Sequence, residues 1–345
     1  MKEQTPIYIV AELSANHGGS LEHAAKTIRA AARAGANAVK LQTYTADTLT
    51  IDCDNEYFRI GGGTAWDGKT LYNLYKEAYT PWEWHADLKK VAEECGLDFF
   101  STPFDETAVD FLEELGVPFH KVASFELVDI PLLRKVGSTH KPVIMSTGMA
   151  SEEEIHEAVE TLRKAGCTDL TLLKCTSSYP AEPGDANLMT IPDMAEKFGC
   201  PVGISDHTIG IAVPVAAVGL GICMIEKHFT LSRAAGGPDS SFSLEPSEFK
   251  EMVEAVRLAE QALGTICYGG TDSETKTKVF RRSLFAVRDI KAGELFTKEN
   301  VRSIRPGYGL LPKYMNSVLG QFASRKIERG EPVSVNMIRG FPLDL

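Results

Sequence analysis

The segment Gly203-Ile204-Ser205-Asp206-His207-Thr208 begins as a short apolar run, typical of a buried β-strand, and ends abruptly in polar residues. A second segment, Ile225-Glu226-Lys227-His228-Phe229, repeats this pattern. Packing in a protein core does not require Ser, Asp, Glu, Lys and His at such positions. Two imidazoles at the ends of successive strands can instead converge on one divalent metal ion, with coordination positions left open for a substrate. The alternative is two unrelated histidines, one capping a helix and one packed in the core.

Both segments belong to an alternation of strand-like and helix-like segments that runs along most of the chain. Eight apolar or β-branched runs predict strands at residues 7–12, 38–43, 98–102, 119–124, 142–147, 169–175, 201–205 and 224–229. A helical pattern follows each run, with capping signals such as Ser20 and the Ser151-x-x-Glu154 capping box. Eight such repeats predict an α/β fold, a (β/α)8 TIM barrel. A doubly wound open sheet is the alternative, but no glycine-rich phosphate loop follows the first strand.

The alternation is interrupted once and ends well before the C-terminus. Residues 44–80 carry Gly61-Gly62-Gly63, Trp66 and a tyrosine-rich helical stretch, and an insertion of this length predicts a lid or a substrate loop. A disordered excursion is the alternative, which the aromatic residues argue against. We expect a catalytic barrel at residues 1–264 and a polar linker at 265–280. Short strand-like pieces at 283–287, 301–304, 325–327 and 333–335, separated by Gly and Pro, then predict a small, mostly β domain at 281–345.

Composition limits the classes of function. The 345 residues carry a net charge of -11, with 43% hydrophobic and 24% charged residues. This charge argues against binding to nucleic acid or to an anionic membrane. No apolar run reaches the roughly 18 residues that span a bilayer, and the N-terminus lacks a signal-peptide pattern. The seven cysteines include no C-x-x-C pair and read as free thiols. We therefore expect a cytoplasmic protein.

In such a barrel, polar side chains at the carboxyl ends of the strands form the active site. The predicted strand ends supply Glu12, Lys40, Gln42, Thr102, Lys121, Ser124, Glu126, Thr147, Thr176, Ser177, Tyr179, Ser205, Asp206, His207, Lys227 and His228. On the second strand, Lys40 and Gln42 share one face, and an inward lysine is costly unless it meets an anion. Two lysines and several hydroxyls suit a phosphate-bearing anion, and a metal ion on two histidines would polarise a carbonyl group.

These residues predict a metal-assisted enzyme that acts on a phosphorylated or carboxylated small molecule with a carbonyl group. A single hydroxyl such as Thr147 or Ser177 could equally cap a helix or strand. A lysine-dependent aldolase, which forms a Schiff base on a barrel lysine, is a competing prediction. A non-catalytic carbohydrate-binding protein is a third, but it would have no need of the histidines or the lysines.

Motifs at nearly every predicted strand end together resemble the sialic acid synthase family. They are Glu12-Leu13-Ser14-Ala15-Asn16-His17-Gly18-Gly19-Ser20, Lys40-Leu41-Gln42-Thr43, Ser101-Thr102-Pro103-Phe104-Asp105, Lys121-Val122-Ala123-Ser124, Lys174-Cys175-Thr176-Ser177-Ser178-Tyr179-Pro180, Ser205-Asp206-His207-Thr208 and Glu226-Lys227-His228-Phe229. Gly63-Thr64-Ala65-Trp66-Asp67-Gly68 and Gly237-Pro238-Asp239 are most similar to the branch that makes pseudaminic acid. Arg281-Arg282-Ser283-Leu284 and Arg305-Pro306-Gly307-Tyr308-Gly309 resemble the antifreeze-like (SAF) module.

The resemblance implies a transferase that condenses phosphoenolpyruvate with the open-chain aldehyde of 2,4-diacetamido-2,4,6-trideoxy-altrose. The products would be phosphate, released by C–O cleavage, and a nine-carbon α-keto sugar acid. A sister activity that makes sialic or legionaminic acid from a mannosamine-type sugar is the alternative. The cofactor implied is a divalent metal ion, Mn²⁺ first and Mg²⁺ or Co²⁺ as alternatives, held by His207 and His228.

The resemblance also implies roles for individual residues. Phosphoenolpyruvate would be held by Lys40, Thr102, Lys121, Ser124, Ser177 and Ser205. The sugar would contact Glu12, Tyr179 and Asp239, while Gln42 is a further substrate-binding candidate and Glu126 would handle the attacking water. The expected catalytic residues are Glu12, Lys121, Glu126 and His228. Arg305 would reach the sugar in the partner subunit of a domain-swapped homodimer.

Overall fold

The computed structural model describes residues 5–61 and 66–341. The chain divides into two compact units, Met1–Gly264 and Thr265–Leu345. Gly62, Gly63, Thr64 and Ala65, which belong to the predicted insertion and to one of its motifs, lie outside the described residues.

Eight parallel strands form the sheet of the larger unit. They are β1 (Tyr8–Glu12), β2 (Ala38–Thr43), β3 (Asp98–Pro103), β4 (His120–Val122), β5 (Val143–Ser146), β6 (Leu170–Cys175), β7 (Val202–Asp206) and β8 (Met224–His228). Their order is β3-β2-β1-β8-β7-β6-β5-β4. The two terminal strands of this order lie side by side, since Phe100 on β3 contacts Phe119, just before β4, with 4.5 Å between ring centroids. The predicted (β/α)8 TIM barrel is confirmed.

One helix of the outer layer follows each strand. The helices are α1 (Leu21–Arg33), α2 (His85–Glu94), α3 (Glu106–Leu115), α4 (Ile130–Gly137), α5 (Glu152–Ala165), α6 (Thr190–Phe198), α7 (Ala212–Val218) and α8 (Pro246–Leu263). Ser20 caps α1 by accepting a hydrogen bond from the His23 N–H. Ser151 and Glu154 form the predicted capping box of α5. These caps start each helix where the strand-to-helix loop must end.

Alternation along each strand separates two apolar cores. Ile9, Val39 and Ile225 pack with the helices in the large outer core. A second, smaller core fills the barrel interior and consists of Val10, Ala38, Phe100, Ile144, Leu173 and Met224. Side chains two residues apart share a face, so the residue two positions after each of these core residues also faces the interior. These residues form a polar layer: Glu12, Lys40, Thr102, Ser146, Cys175 and Glu226. The interior core therefore supports a polar layer at the end of the barrel where chemistry is expected.

The insertion between β2 and α2 is partly helical. It contains the short helix Ala46–Leu49, a 3-10 turn at Glu56–Phe58 and the helix Leu71–Ala78. The last of these matches the tyrosine-rich helix predicted from the sequence. Leu74 and Ala78 are buried, so this helix packs against the barrel unit through an apolar face.

The C-terminal unit has its own apolar core, which includes Leu284, Ile290 and Phe296. Its sheet consists of the antiparallel strands β9 (Ser283–Ala286) and β10 (Val301–Ile304). The strands predicted at 325–327 and 333–335 are present only as isolated bridges and a 3-10 turn. Pro332 contributes to this, because proline has no N–H to donate to a strand ladder.

Residues 265–280, predicted as a polar linker, are grouped with the C-terminal unit. They contain the short helix Asp272–Thr275 and the 3-10 turn Lys276–Phe280. Across the described ranges, none of the helices has both the length and the apolar character that crossing a bilayer demands.

Candidate active site

Four charged side chains meet inside the barrel and form what we call the interior charge layer: Glu12, Lys40, Lys121 and Glu226. Lys40 Nζ lies 2.9 Å from Glu12 Oε2 and 3.5 Å from Glu226 Oε1. Lys121 Nζ lies 3.8 Å from Glu226 Oε2. All four side chains are buried. Buried charges require partners, and here two ammonium groups balance two carboxylates.

Burial and the neighbouring charges act against each other on these pKa values. Burial raises the pKa of Glu12 to about 7, although Lys40 opposes the shift. Burial acts in the same direction on Glu226, but Lys121 and Lys40 hold its pKa below the usual value. The pKa of Lys121 is lowered, chiefly by burial. Burial also acts to lower the pKa of Lys40, but Glu12 and Glu226 outweigh this effect and hold the pKa above its usual value.

Polar groups from four strands hydrogen-bond to the charge layer. Lys40 Nζ donates to Thr102 Oγ1 at 3.2 Å. Lys121 Nζ donates to Ser146 Oγ at 2.7 Å. The Ser205 hydroxyl donates to Glu226 Oε1 at 3.3 Å, and Gln42 Nε2 donates to Glu12 Oε1 at 3.1 Å. Lys40, Gln42, Thr102, Lys121 and Ser205, which the sequence analysis placed at the site, are therefore brought together around the two glutamates.

Ser124 and Ser177 converge over the backbone of Gly148. The Gly148 N–H donates to Ser124 Oγ at 3.1 Å. A Cβ atom on residue 148 would lie 2.2 Å from Ser177 Oγ and 2.8 Å from Ser124 Oγ. Only glycine leaves room for both hydroxyls at this point, so the loop after β5 lies directly against the two serines.

The two imidazoles also converge. The ring centroids of His207 and His228 are 5.2 Å apart. The Tyr179 ring lies 4.4 Å from His207, and Phe242 lies 5.0 Å from His228. His207 Nδ1 donates to the Thr176 carbonyl at 2.9 Å in the tautomer that leaves Nε2 free to accept.

The two histidines would suit a metal ion only if other ligands completed its coordination sphere. His228 Nδ1 is buried and has no hydrogen-bond partner among the described residues. No group of three or more His, Cys, Asp or Glu side chains within residues 5–61 and 66–341 is arranged to hold an ion. Two imidazole nitrogens alone leave a coordination sphere open, and oxygen atoms of substrate or water would have to complete it.

A cavity of about 480 Å³ adjoins the charge layer. Its polar lining includes Gln42, Glu126, Ser177, Tyr179, His228 and Asp239. The insertion contributes an apolar wall that consists of Leu49, Ile60, Trp66, Leu71, Leu74 and Ala78. Trp66 Nε1 donates to the Pro238 carbonyl at 3.0 Å, which ties this wall to the loop that carries Asp239. The cavity thus combines hydrogen-bonding groups on one side with apolar groups on the other.

Glu126 is a titratable group that faces this cavity. It lies in the 3-10 turn Phe125–Val128 after β4, and its Oε2 atom is buried without a hydrogen-bond partner in the described structure. Burial raises its pKa to about 7. A carboxyl group with this pKa can accept a proton from a substrate or a water molecule near neutral pH.

Asp206, Lys227 and Thr147 stand at the carboxyl ends of their strands, as predicted, but their side chains do not join the interior charge layer. Lys227 Nζ lies 2.5 Å from Asp206 Oδ2 and also donates to the Thr208 carbonyl. Thr147 Oγ1 donates to the Leu173 carbonyl at 3.2 Å. Lys227 follows the interior residue Glu226, and Asp206 follows the interior residue Ser205, so the period-two alternation turns both toward the outer layer.

The same alternation identifies Glu226, which the sequence analysis did not select as a site residue. Glu226 is two residues before His228 and therefore shares its interior face. Ser146 and Gly148 were also missed, because neither residue type signals chemistry by itself. Arg305 belongs to the C-terminal unit, where it is exposed at the end of β10.

Comparison with known proteins identifies the family to which the chain belongs. A model of the NeuB family matches residues 27–268, and a model of the SAF domain matches residues 281–339. The chain is 47% identical over 333 residues to pseudaminic acid synthase of Campylobacter jejuni, which covers 96% of this chain and 97% of the relative. It is 38% identical over 328 residues to N,N'-diacetyllegionaminic acid synthase of Legionella pneumophila, which covers 94% and 92%.

A crystal structure of N-acetylneuraminic acid synthetase from Leptospira borgpetersenii, in complex with citrate, has the same fold. The TM-score is 0.71 at 35% identity, and the match covers 79% of this chain and 90% of the other. With the family model matched across most of the barrel and full-length relatives at this level of identity, the chain belongs to the NeuB family.

Proposed function

We propose that the chain acts as a pseudaminic acid synthase, an enzyme of nonulosonic acid biosynthesis. It condenses phosphoenolpyruvate with 2,4-diacetamido-2,4,6-trideoxy-altrose and releases phosphate. The observation that carries this proposal is the interior charge layer beside a half-polar cavity. Two buried lysines suit an anion, and the adjoining cavity suits an uncharged sugar with apolar substituents.

Phosphoenolpyruvate carries a phosphate and a carboxylate, and the charge layer offers one lysine for each. Lys40 and Lys121 supply positive charge, and the hydroxyls of Thr102, Ser124, Ser177 and Ser205 supply directional donors. Gln42 links this subsite to the cavity, since it lines the cavity and donates to Glu12. The anion therefore lies in the barrel interior and the sugar at its opening.

The sugar fits the cavity by its two kinds of substituent. Tyr179, Asp239 and Glu12 offer hydrogen bonds to hydroxyl and amide groups. The wall of the insertion offers apolar contact to the methyl group at carbon six and to the acetamido methyl groups. A hydroxyl group buried against such a wall without a partner would be disfavoured. This contrast favours a 6-deoxy sugar over N-acetylmannosamine.

The reaction forms one C–C bond and breaks one C–O bond. Carbon three of phosphoenolpyruvate attacks the aldehyde carbon, the aldehyde oxygen takes up a proton from solvent, and positive charge develops at carbon two. Water adds to carbon two, and Glu126 accepts one of its two protons. The C–O bond to phosphate then breaks, and the hydroxyl on carbon two gives its remaining proton to the departing phosphate as the ketone of the α-keto acid forms. The lysines hold the anion through these steps, and orientation of the two reactants contributes much of the rate.

We also propose that His207 and His228 hold a divalent ion, Mn²⁺ with Mg²⁺ or Co²⁺ as alternatives. When bound, such an ion supplies Lewis acidity to a carbonyl oxygen. The proposal is supported by two ring nitrogens, His207 Nε2 and His228 Nδ1, that have no hydrogen-bond partner among residues 5–61 and 66–341. Equilibrium dialysis with Mn²⁺ tests it: His207→Ala and His228→Ala should each lose binding while circular dichroism reports an intact fold. Undiminished Mn²⁺ binding in both variants would refute this assignment.

We further propose a cytoplasmic, domain-swapped homodimer in which Arg305 of one copy reaches the sugar bound by its partner. All seven cysteines are free, which supports a reducing compartment. Arg305 is exposed and belongs to the C-terminal unit rather than to the barrel unit. Mixing equal amounts of inactive Arg305→Ala and Lys121→Ala subunits should restore about a quarter of the wild-type activity. About half of the dimers then contain one subunit of each kind, and one of the two sites in such a dimer is complete. No recovery would exclude the swap.

The function is tested by measuring phosphate release from phosphoenolpyruvate with Mn²⁺. The altro-configured diacetamido sugar is compared with N-acetylmannosamine and with the legionaminic precursor of manno configuration. We expect turnover chiefly with the altro sugar. Preference for either other sugar would instead support sialic or legionaminic acid synthesis, which the similarity to the Legionella and Leptospira proteins makes the second candidate. No release with any of the three would refute the substrate assignment.

A further inference from the structure

Ser14 has a backbone conformation that side chains rarely adopt. It follows β1 by two residues, its φ is 45°, and it is buried. This left-handed region is crowded for any residue with a Cβ atom and normally favours glycine. Conformations of this kind persist where surrounding contacts hold them, and they cluster at functional sites. Ser14 also lines the cavity beside the charge layer.

At this strained position the Ser14 hydroxyl contacts the Asp239 carboxylate. Ser14 Oγ donates to Asp239 Oδ2, and the Ala15 N–H approaches the same oxygen at 3.4 Å. The other oxygen, Oδ1, makes no hydrogen bond within the part of the chain that the structure describes. Burial raises the pKa of Asp239, while the donors Ser14 and Ala15 oppose that rise. The two donors therefore favour an ionised carboxylate with one oxygen fixed.

The loop that carries Asp239 is anchored without the Ser14 hydroxyl. Asn16 Nδ2 donates to Ser243 Oγ at 2.8 Å, and Ser243 Oγ donates to the Asp239 carbonyl at 2.6 Å. On the other side, Trp66 Nε1 holds the Pro238 carbonyl at 3.0 Å. The backbone on both sides of Asp239 is thus held by other bonds. What Ser14 adds is the orientation of the carboxylate.

We propose that Ser14 is a positioning residue that orients the Asp239 carboxylate so that Oδ1 accepts a hydrogen bond from an amide N–H or hydroxyl of the amino sugar. This rests on the proposed function, because it assumes that the cavity binds the sugar. The strained backbone at Ser14 is then maintained for binding and not for stability. Ser14 influences the affinity for the sugar and leaves the phosphoenolpyruvate subsite, which lies in the barrel interior, unchanged.

Ser14→Gly separates binding from stability, because glycine removes the hydroxyl and relieves the backbone conformation at once. We expect an equal or higher Tm, a KM for the sugar raised about tenfold by loss of a bond to a charged group, and a KM for phosphoenolpyruvate within about twofold. The double variant Ser14→Gly/Asp239→Asn should bind the sugar no worse than Asp239→Asn alone, because Ser14 acts through Asp239.

Ser240→Ala is the matched control. It removes a buried hydroxyl from the same loop, and Ser240 Oγ donates to the Gly237 carbonyl at 3.1 Å. It should leave the KM for the sugar within about twofold. An equal rise of that KM in Ser240→Ala, or a lower Tm in Ser14→Gly, would show a structural role and overturn the proposal.

All variants are measured with whichever of the three sugars the wild-type protein turns over fastest. An active wild type with an unchanged sugar KM in Ser14→Gly refutes the role of Ser14 alone. A wild type inactive with every sugar refutes the proposed function and this inference with it.

Discussion

Gly148→Ala should damage the binding of phosphoenolpyruvate without unfolding the barrel. The Gly148 φ lies outside the left-handed region, so alanine can adopt the backbone conformation. The effect comes from the added methyl group alone. A Cβ atom at residue 148 would lie 2.2 Å from Ser177 Oγ and 2.8 Å from Ser124 Oγ.

The size of the effect follows from these distances. Real Cβ atoms do not approach other heavy atoms more closely than 3.0 Å, so the Ser177 hydroxyl must move by about 0.8 Å, the difference from 2.2 Å. The Ser124 hydroxyl must give by about 0.2 Å, the difference from 2.8 Å. Misplacement of a positioning group by roughly 1 Å can cost about 100-fold in rate. We expect kcat/KM for phosphoenolpyruvate to fall between about 10- and 100-fold, and Tm to change little.

Steady-state phosphate release, with each substrate varied in turn, measures this effect. Gly148→Ala should raise the KM for phosphoenolpyruvate far more than the KM for the sugar. Ser177→Gly removes the side chain with the more severe overlap. Gly148→Ala should therefore weaken phosphoenolpyruvate binding less in the Ser177→Gly variant than it does in the wild-type protein. Wild-type kinetics in Gly148→Ala would show that Ser124 and Ser177 do not hold the anion. A large drop in Tm would show that the glycine serves packing instead.

Three further predictions follow from the same geometry. Glu226→Gln removes the carboxylate partner of Lys121, so we expect the free energy of unfolding to fall by about 3–5 kcal/mol. In a thermal-shift assay, inorganic phosphate should restore part of the lost Tm. An unchanged Tm would contradict the buried charge layer. With its pKa near 7, Glu126 is deprotonated above that pH and protonated below it, so wild-type kcat/KM should fall about tenfold per pH unit on the acid side. Glu126→Gln should be slow, and its kcat/KM should not fall in this way at low pH. If the fall at low pH persists in Glu126→Gln, it belongs to another group such as Glu12. Lys227→Met removes the ammonium partner of the buried Asp206, so the free energy of unfolding should fall by about 3–5 kcal/mol. Both KM values should stay within about twofold of the wild-type values. A weakened affinity for phosphoenolpyruvate would contradict the outward orientation of Lys227.

Much of the fold could be predicted because its signals are local. Apolar runs and helix caps lie within a few residues of each other, so the eight strands and the Ser151/Glu154 capping box were visible in the sequence. The strands predicted at 325–327 and 333–335 do not form ladders, because their formation does not depend on local signals alone. Pairing there depends on distant partners such as Ile290 and Phe285, and those partners form only single bridges.

The candidate site was harder to predict because it depends on the direction of each side chain. Lys40 was identified from its strand face, and it does lie in the charge layer. Applied to β8 in the same way, alternation selects Glu226 and His228 and rejects Lys227. For Gly148 no local rule exists, since its importance comes from two serines on other loops.

By itself the sequence determined the barrel, the small second domain and the residue types at the strand ends, because backbone propensity and period-two alternation act over short distances along the chain. Only the tertiary structure decided which of those residues meet. The pairing of Lys40 with Glu12 and Glu226, the clearance over Gly148 and the strained contact of Ser14 with Asp239 each join residues far apart in the chain. Differences of a few tenths of an ångström in the distances between such groups are set by how whole elements pack. No short stretch of sequence contains that information.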